Sequence, residues 1–235
     1  MKRLSQQEAF EKASAAQFDT GCLSLGPWTS YSVLHDPKHL CFVLARYKFC
    51  SKMLQGKNDI LEIGCGDAFG ITVVAQGARY VLGVDVDDRL ITNNSERLKP
   101  IKNLEFRNLN ICDEVPTRTF DGIYSVDVIE HLDPPLEERF MGNTRACLKP
   151  DGVCIIGTPN ITANKYATPR SRIQHINLKG HKELRALLDK YFVNGFMFSM
   201  NDEVVHTGYY PMAHYLFAVG VGVKPSAIPT RPGMR

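Results

Sequence analysis

Residues 60–70 read Ile-Leu-Glu-Ile-Gly-Cys-Gly-Asp-Ala-Phe-Gly, and they carry the most legible chemistry in the chain. An apolar run ends in Gly64 and Gly66 and passes into Phe69-Gly70-Ile71-Thr72-Val73-Val74, which predicts a strand, a glycine turn and a helix start. Glycines take the tight bend and remove the side chains that would keep a small charged ligand off the backbone. The third glycine of a dinucleotide fingerprint would follow Gly66 after two residues; here Gly70 falls one position late, and Glu62 sits inside the preceding strand. Tyr80-Val81-Leu82-Gly83-Val84-Asp85 predicts a second strand that ends in a carboxylate about 20 residues after the turn, where it can accept hydrogen bonds from both hydroxyls of a ribose.

The elements that must position these residues can be read around them. Ser5-x-x-Glu8 is a capping box, and Ala9 to Phe18 can follow as a short helix. Residues 19–36 read as irregular, with Gly21, Gly26 and Pro27 as breakers. Asp36-Pro37 supplies an N-cap and an N1 proline; Leu40, Val43, Leu44, Tyr47 and Leu54 follow at helical spacing, and Gly56 closes that helix. From Asn58 onward strands are expected near Ile60–Ile63, Tyr80–Val84, Leu104–Arg107, Gly122–Ser125 and Val153–Gly157. Helices are expected at Asp88–Leu98, at Leu136–Leu148 after Asp133-Pro134-Pro135, and at Lys182–Tyr191. Such alternation predicts a parallel sheet covered on both faces. Phe196–Met200 and His214–Val221 read as two closing strands in a hairpin. The segment 160–181 breaks the alternation, is rich in Lys, Arg and His, and leaves the C-terminal end of the fifth strand, where ligands sit in open α/β sheets. It reads as an insertion covering the active site.

Bulk composition narrows the class. The chain has 235 residues, 44% apolar and 23% charged, and a net charge of +3, which argues against nucleic acid as a partner. It has no run of eighteen apolar residues, and its first residues lack the apolar core of a secretory signal. Seven cysteines without a CxxC pair read as reduced thiols of a cytoplasmic protein.

Two further segments join the glycine turn and Asp85. Phe120-Asp121-Gly122-Ile123-Tyr124-Ser125-Val126-Asp127-Val128-Ile129-Glu130-His131-Leu132 forms a fourth strand with its exit. Leu148-Lys149-Pro150-Asp151-Gly152 turns into a fifth strand that runs to Asn160. With Glu62-x-Gly64-x-Gly66-x-x-x-Gly70, this set resembles the class I S-adenosylmethionine-dependent methyltransferases, bacterial small-molecule and sugar methyltransferases among them. The resemblance covers residues 58–160 well and the C-terminal strands more loosely. It implies an α/β fold: a doubly wound, Rossmann-like, mostly parallel seven-stranded sheet with an antiparallel last strand, and an N-terminal helical lid carrying Trp28 and Tyr31. The expected organisation is a helical cap over 1–57, a core over 58–223 with the variable insertion at 160–181, and a mobile tail over 224–235.

The resemblance also implies a cofactor, S-adenosyl-L-methionine. Its amino-acid head calls for the backbone around Glu62, Gly64, Cys65 and Gly66, and its ribose for Asp85. Its adenine calls for an apolar slot between Val86 and Ile111, with Asn110 standing where the family often has an aspartate. Ser125 and Asp127 are expected beside the methionine portion. Methyl transfer needs alignment and exclusion of water, plus a base when the acceptor is a hydroxyl. His131 is the leading base candidate; the alternative is that it packs the turn after the fourth strand. His175, His206 and Tyr210, with Tyr31, are expected at the acceptor, each with a purely structural alternative. Arg170 and Arg172 could present forks to a phosphate or carboxylate, which would make the acceptor anionic; otherwise they belong to a solvated loop. No metal is expected, because the sequence has no HExxH, no cysteine pair and no compact histidine cluster.

The favoured function is O-methylation of a sugar, nucleotide sugar or other anionic small molecule. Alternatives are a nucleic-acid or protein methyltransferase, a nicotinamide-dependent oxidoreductase, and a cofactor-binding protein without activity. Against base methylation, the fourth strand leads into Asp127-Val128-Ile129-Glu130 and not into an Asn/Asp-Pro-Pro-Tyr/Phe motif. The oligomeric state is left open.

Overall fold

Strand β1 (Asp59–Ile63) is buried at every position, as a central parallel strand covered on both faces must be. The computed structural model describes residues 4–225. β2 (Tyr80–Asp85) and β3 (Leu104–Asn108) lie to one side of β1, and β4 (Phe120–Val126) and β5 (Leu148–Pro159) to the other, all parallel. β8 (Tyr215–Val223) is antiparallel to both β5 and β6 (Phe192–Asn201) and lies between them. The order is β3-β2-β1-β4-β5-β8-β6-β7.

The sheet therefore has the expected class, with one strand beyond the seven expected. The chain turns back at Asp202, which takes φ 50°, and Val204–His206 (β7) pairs with the edge of β6. The two expected closing strands are antiparallel neighbours, but they are joined through β7 and a 3-10 turn at Tyr210–Met212 and not by a tight hairpin.

Helices α3 (Pro37–Met53) and α4 (Ile71–Ala75) contribute Tyr47, Phe49, Cys50, Ile71 and Val74 to the core on one face of the sheet. Phe140 and Met141 of α6 (Glu137–Ala146) and Leu184, Leu187 and Leu188 of α8 (His181–Tyr191) fill the other. α5 (Asp88–Arg97) begins on an Asp87 side chain that accepts from the Arg89 N–H, as a cap should.

The capping box at Ser5 and Glu8 forms and opens α1 (Gln6–Asp19). The irregular stretch expected over 19–36 is half wrong. Gly26 caps and Pro27 starts a nine-residue helix, α2 (Pro27–His35), because a proline at N1 is pre-organised for a helix and does not break it. Asp36 sits at the N-cap of α3, but its side chain makes no capping bond. The insertion holds a 3-10 turn at Ile161–Tyr166 and a short helix, α7 (Pro169–Gln174). Of the tail expected to be mobile, residues 226–235 lie outside the described residues, while Lys224 is tied down by a bond from its Nζ to the Asp189 carbonyl at 2.6 Å.

Candidate active site

The glycine turn is shaped from three sides. Gly64 and Gly66 take φ of 76° and 52°, the left-handed region that suits glycine. A Cβ on Gly64 would collide with Val128, and one on Gly66 would lie 2.6 Å from the Trp28 ring. The N–H groups of Gly64 and Cys65 both donate to the Val84 carbonyl, and Asn94 Nδ2 of α5 donates to the Gly66 carbonyl at 2.7 Å. Asp85, at the end of β2, accepts from Gly66 N–H at 2.9 Å and from Asp87 N–H at 3.0 Å, one on each oxygen. Its carboxylate is thereby held beside the turn, with lone pairs left on both oxygens for a pair of hydroxyls.

Helix α2 closes over this turn, whereas α1 buries none of its residues. Asp67 Oδ2 accepts from Thr29 N–H at 2.7 Å, which satisfies one of the free donors of the first turn of α2. Trp28, Thr29 and Ser32 then line a cavity of about 190 Å³ together with Gly64, Cys65, Gly66 and Asp127. Tyr31 is not among the lining residues: it is exposed and stacks on the ring of His35, one turn further along α2, at 4.0 Å.

Several expected ligand contacts turn out to be supports. Glu62 is buried, and its two oxygens accept from Tyr47 Oη at 2.7 Å and Tyr124 Oη at 2.8 Å. Burial pushes its carboxyl up to about 8, against the downward pull of the two tyrosine hydroxyls. Ser125 is buried and donates to the Ile63 carbonyl at 2.9 Å, tying β4 to β1. Ile111 is packed in the core, so the apolar slot for an adenine is open only on the side of the exposed Val86. The Asn110 carbonyl oxygen accepts from Cys112 N–H at 3.0 Å and keeps a second lone pair, while its amide donates to Asp113. The Cys65 thiol is buried, and burial holds it far above the usual thiol range, so it is a filler and not a nucleophile.

A charged cluster lies at the C-terminal end of β4. Asp127 takes φ 59° and accepts from Arg46 Nη1 of α3 at 2.5 Å. The Arg46 guanidinium also lies over the Tyr215 ring, 4.1 Å from its centre. Glu130 Oε2 accepts from Thr158 Oγ1 at 3.0 Å, and burial together with the nearby Asp127 pushes the Glu130 carboxyl up to about 8. His131 Nδ1 lies 3.0 Å from the Gln174 carbonyl, and the rings of His131 and His175 meet edge to face at 5.0 Å. Arg46 Nε, Asp127 Oδ1, Glu130 Oε1 and Tyr215 Oη are buried without a partner. Buried polar atoms are rarely left so. The fold brings Glu130, His131 and His175 together, with one potential ligand atom from each within 4.8 Å of the others, a grouping that linear spacing does not reveal.

Beyond His175 a larger cavity of about 800 Å³ opens between the insertion and the turn before β8. Asn160, Lys165, Tyr166, His175, Met212 and His214 are among its walls. The two arginines do not converge on it. α7 leaves both exposed, and Arg172 is spent on the Lys165 carbonyl at 2.9 Å. Tyr210 stacks on His181 at 4.3 Å and fixes the turn from behind. His206 is occupied within the β6–β7 hairpin, where Nδ1 accepts from Gly208 N–H at 2.9 Å. Arg46, Tyr215, Asp67 and Glu130 are the site residues that sequence reasoning did not single out. Glu130 alone had a local signal, its place beside His131.

The chain resembles known methyltransferases in sequence and in fold. A family model described as "Methyltransferase domain" matches residues 35–191. A probable S-adenosylmethionine-dependent methyltransferase of Mycolicibacterium smegmatis is 31% identical over 103 residues, 43% of this chain and 38% of that protein. The chain thus spans little more than a third of the length of that relative. A ubiquinone biosynthesis O-methyltransferase of Actinobacillus pleuropneumoniae is 27% identical over 177 residues, 71% of this chain and 70% of that one. Among solved structures, the N-methyltransferase NodS of Bradyrhizobium japonicum, in complex with S-adenosyl-L-homocysteine, superposes with a TM-score of 0.60 at 18% identity, covering 77% of this chain and 85% of that one. The chain belongs to the methyltransferase-domain family, class I, whose cofactor is S-adenosylmethionine.

Proposed function

We propose that the chain transfers a methyl group from S-adenosylmethionine to an oxygen of a small-molecule acceptor, such as a sugar, a nucleotide sugar or another anionic metabolite. The observation that carries this reading is the junction at His175. Its ring meets His131 at the end of β4 and also lines the 800 Å³ cavity, so the charged cluster beside the glycine turn opens onto a chamber of small-molecule size.

In this reading Gly64, Cys65 and Gly66 give their backbone to the donor's amino-acid head, Asp85 takes the ribose hydroxyls, and Val86 and Asn110 face the adenine. The donor supplies a methyl group already activated by positive sulfur. The chain's own contribution is alignment and dryness: α2 closes over the glycine turn, and the insertion roofs the acceptor chamber. His131 stands where an acceptor hydroxyl would lose its proton. Its Nδ1 faces a carbonyl, which can only accept, so Nδ1 carries the hydrogen and Nε2 is the basic nitrogen. Lys165, on the chamber wall, is the cation for an anionic acceptor.

The same reading makes residues 1–57 a cap and 58–223 the catalytic core, with the insertion at 160–181 as the acceptor-side wall. No helix among the described residues is long and apolar enough to cross a membrane. The seven free cysteines, five of them buried, support a reducing compartment, the cytoplasm.

The test is incubation of the protein with methyl-labelled S-adenosylmethionine and a cell extract, followed by separation of the products by size and by nuclease and protease sensitivity. Label in small, alkali-stable products is expected. Label confined to nucleic acid or protein would refute the small-molecule acceptor. Binding of nicotinamide dinucleotide in preference to S-adenosylhomocysteine would refute the donor.

A further inference from the structure

We propose that Glu130, His131 and His175 form a site for a first-row divalent cation, Mn²⁺ or Zn²⁺ in kind, which binds and activates the acceptor hydroxyl. The inference rests on the O-methyl-transfer reading for its purpose, but the site itself stands on geometry alone.

One ligand atom from each of the three residues lies within 4.8 Å of the others, close enough for all three to reach a single ion. Each residue is prepared for the task separately. Glu130 is fully buried; Thr158 Oγ1 occupies its Oε2, and its Oε1 has no partner. A buried carboxylate oxygen left bare is costly unless something fills its place. His131 donates from Nδ1 to the Gln174 carbonyl, the second-shell contact that orients a ligating imidazole and leaves Nε2 free. His175 stands at the C-terminal end of α7, half-buried, and the insertion that carries it is fastened to the same turn. Asn177 N–H donates to the Glu130 carbonyl at 2.9 Å, and Asn177 Nδ2 reaches Glu137 Oε2 at 3.1 Å.

The donor set argues for the class of ion. Two imidazoles and one carboxylate suit Mn²⁺, Fe²⁺, Co²⁺ or Zn²⁺, whereas Mg²⁺ favours oxygen donors. Three protein ligands leave positions open, the mark of a catalytic and not a structural site. In the reaction the acceptor O–H gives its proton to solvent, because both nitrogens of His131 are committed, Nδ1–H to the Gln174 carbonyl and Nε2 to the ion. The oxygen pair then forms the new O–CH₃ bond, and the breaking C–S pair returns to sulfur, leaving a neutral thioether.

The experiment titrates Mn²⁺ into chelator-treated protein and follows the free-ion signal by electron paramagnetic resonance. Wild type is compared with Glu130→Gln and His175→Ala, and S-adenosylhomocysteine binding is measured calorimetrically on all three. About one Mn²⁺ per chain is expected, with binding weakened at least about tenfold in each variant and S-adenosylhomocysteine affinity within about twofold of wild type. His175 lies on a half-exposed turn, so His175→Ala keeps the test open if Glu130→Gln fails to fold. Failure of wild type to bind Mn²⁺ while it binds S-adenosylhomocysteine would overturn the site, as would equal Mn²⁺ binding by both variants. Mn²⁺ binding lost in the variants would uphold the site even if no acceptor in an extract took label, in which case the O-transfer reading alone would fall. Methyl transfer undiminished by chelation would overturn the ion's part in activating the acceptor.

Discussion

Replacing Glu62 with glutamine should leave the protein about as stable as wild type in mild acid and make it markedly more stable in mild base. Glu62 is buried under the glycine turn with only two tyrosine hydroxyls for company, and its carboxyl sits at about 8 in the folded chain against 4.5 when exposed. The folded value is raised, so between those two pH values the folded chain holds a proton that the unfolded chain has lost. Folding then takes up a proton, and stability falls as pH rises from about 4.5 to about 8, levelling off above. At about 1.4 kcal/mol per pH unit, the span amounts to roughly 4–5 kcal/mol.

Glutamine cannot ionise, so Glu62→Gln lacks this dependence. It can still accept from one tyrosine and donate to the other, as the neutral acid does, which limits its cost at pH 5 to about 1 kcal/mol for the extra amide hydrogen. Thermal unfolding of both proteins from pH 5 to 8.5, in the presence of a chelator, measures the effect. The two melting temperatures should lie within a few degrees at pH 5, and the variant should lead by on the order of 10 °C at pH 8.5. Glu130 is raised in the same direction, but it is common to both proteins and cancels in the difference. Parallel melting curves across the range would refute the claim that Glu62 is held neutral by its burial.

Three further outcomes follow from the site. Gly64→Ala should cost at least about 2 kcal/mol in denaturant unfolding, because the new Cβ meets Val128 at a φ of 76°. Asp85→Asn should weaken S-adenosylhomocysteine binding about 10- to 100-fold by calorimetry, the worth of one or two hydrogen bonds to a charged acceptor; an unchanged affinity would remove Asp85 from the ribose. The double variant Arg170→Ala, Arg172→Ala should leave the acceptor KM within about twofold, since both side chains are exposed away from the chamber.

The sheet was legible because its signals are local. The run Ile60–Ile63, the glycines after it and the carboxylate closing Tyr80–Asp85 each announce themselves within a few residues, as does the Ser5–Glu8 box. The glycine turn and the carboxylate of Asp85 beside it were legible for the same reason. What escaped were contacts made across the fold. Arg46 lies on a helix read for its apolar positions, yet its guanidinium reaches Asp127 at the far end of β4. Glu62 looked like a ligand because it neighbours the turn, but strand alternation points its side chain into the core, where Tyr47 and Tyr124 wait. The arginine fork at 170 and 172 failed on helical geometry: a six-residue helix at the surface keeps those positions outward while His175, at its end, turns in.

The walls of the 800 Å³ cavity come from the insertion and the turn before β8, apart from the strands that carry the glycine turn and Asp85. The insertion is not loosely draped. Lys179 pairs with Glu137 at 2.5 Å, both largely buried, and bonds Asn177 Oδ1 at 2.6 Å; Asn160 Nδ2 bridges the carbonyls of Tyr210 and Ala213 at 2.8 and 3.0 Å. These bonds lock the insertion to α6 on one side and to the turn before β8 on the other. The chamber between them has a fixed shape, set by residues 159–178 and 211–214. The sheet holds the glycine turn and Asp85, and separate segments furnish the chamber beside it. Selectivity for the acceptor should follow Lys165, Tyr166, Met212 and His214 on those walls, while the glycine turn and Asp85 remain indifferent to it.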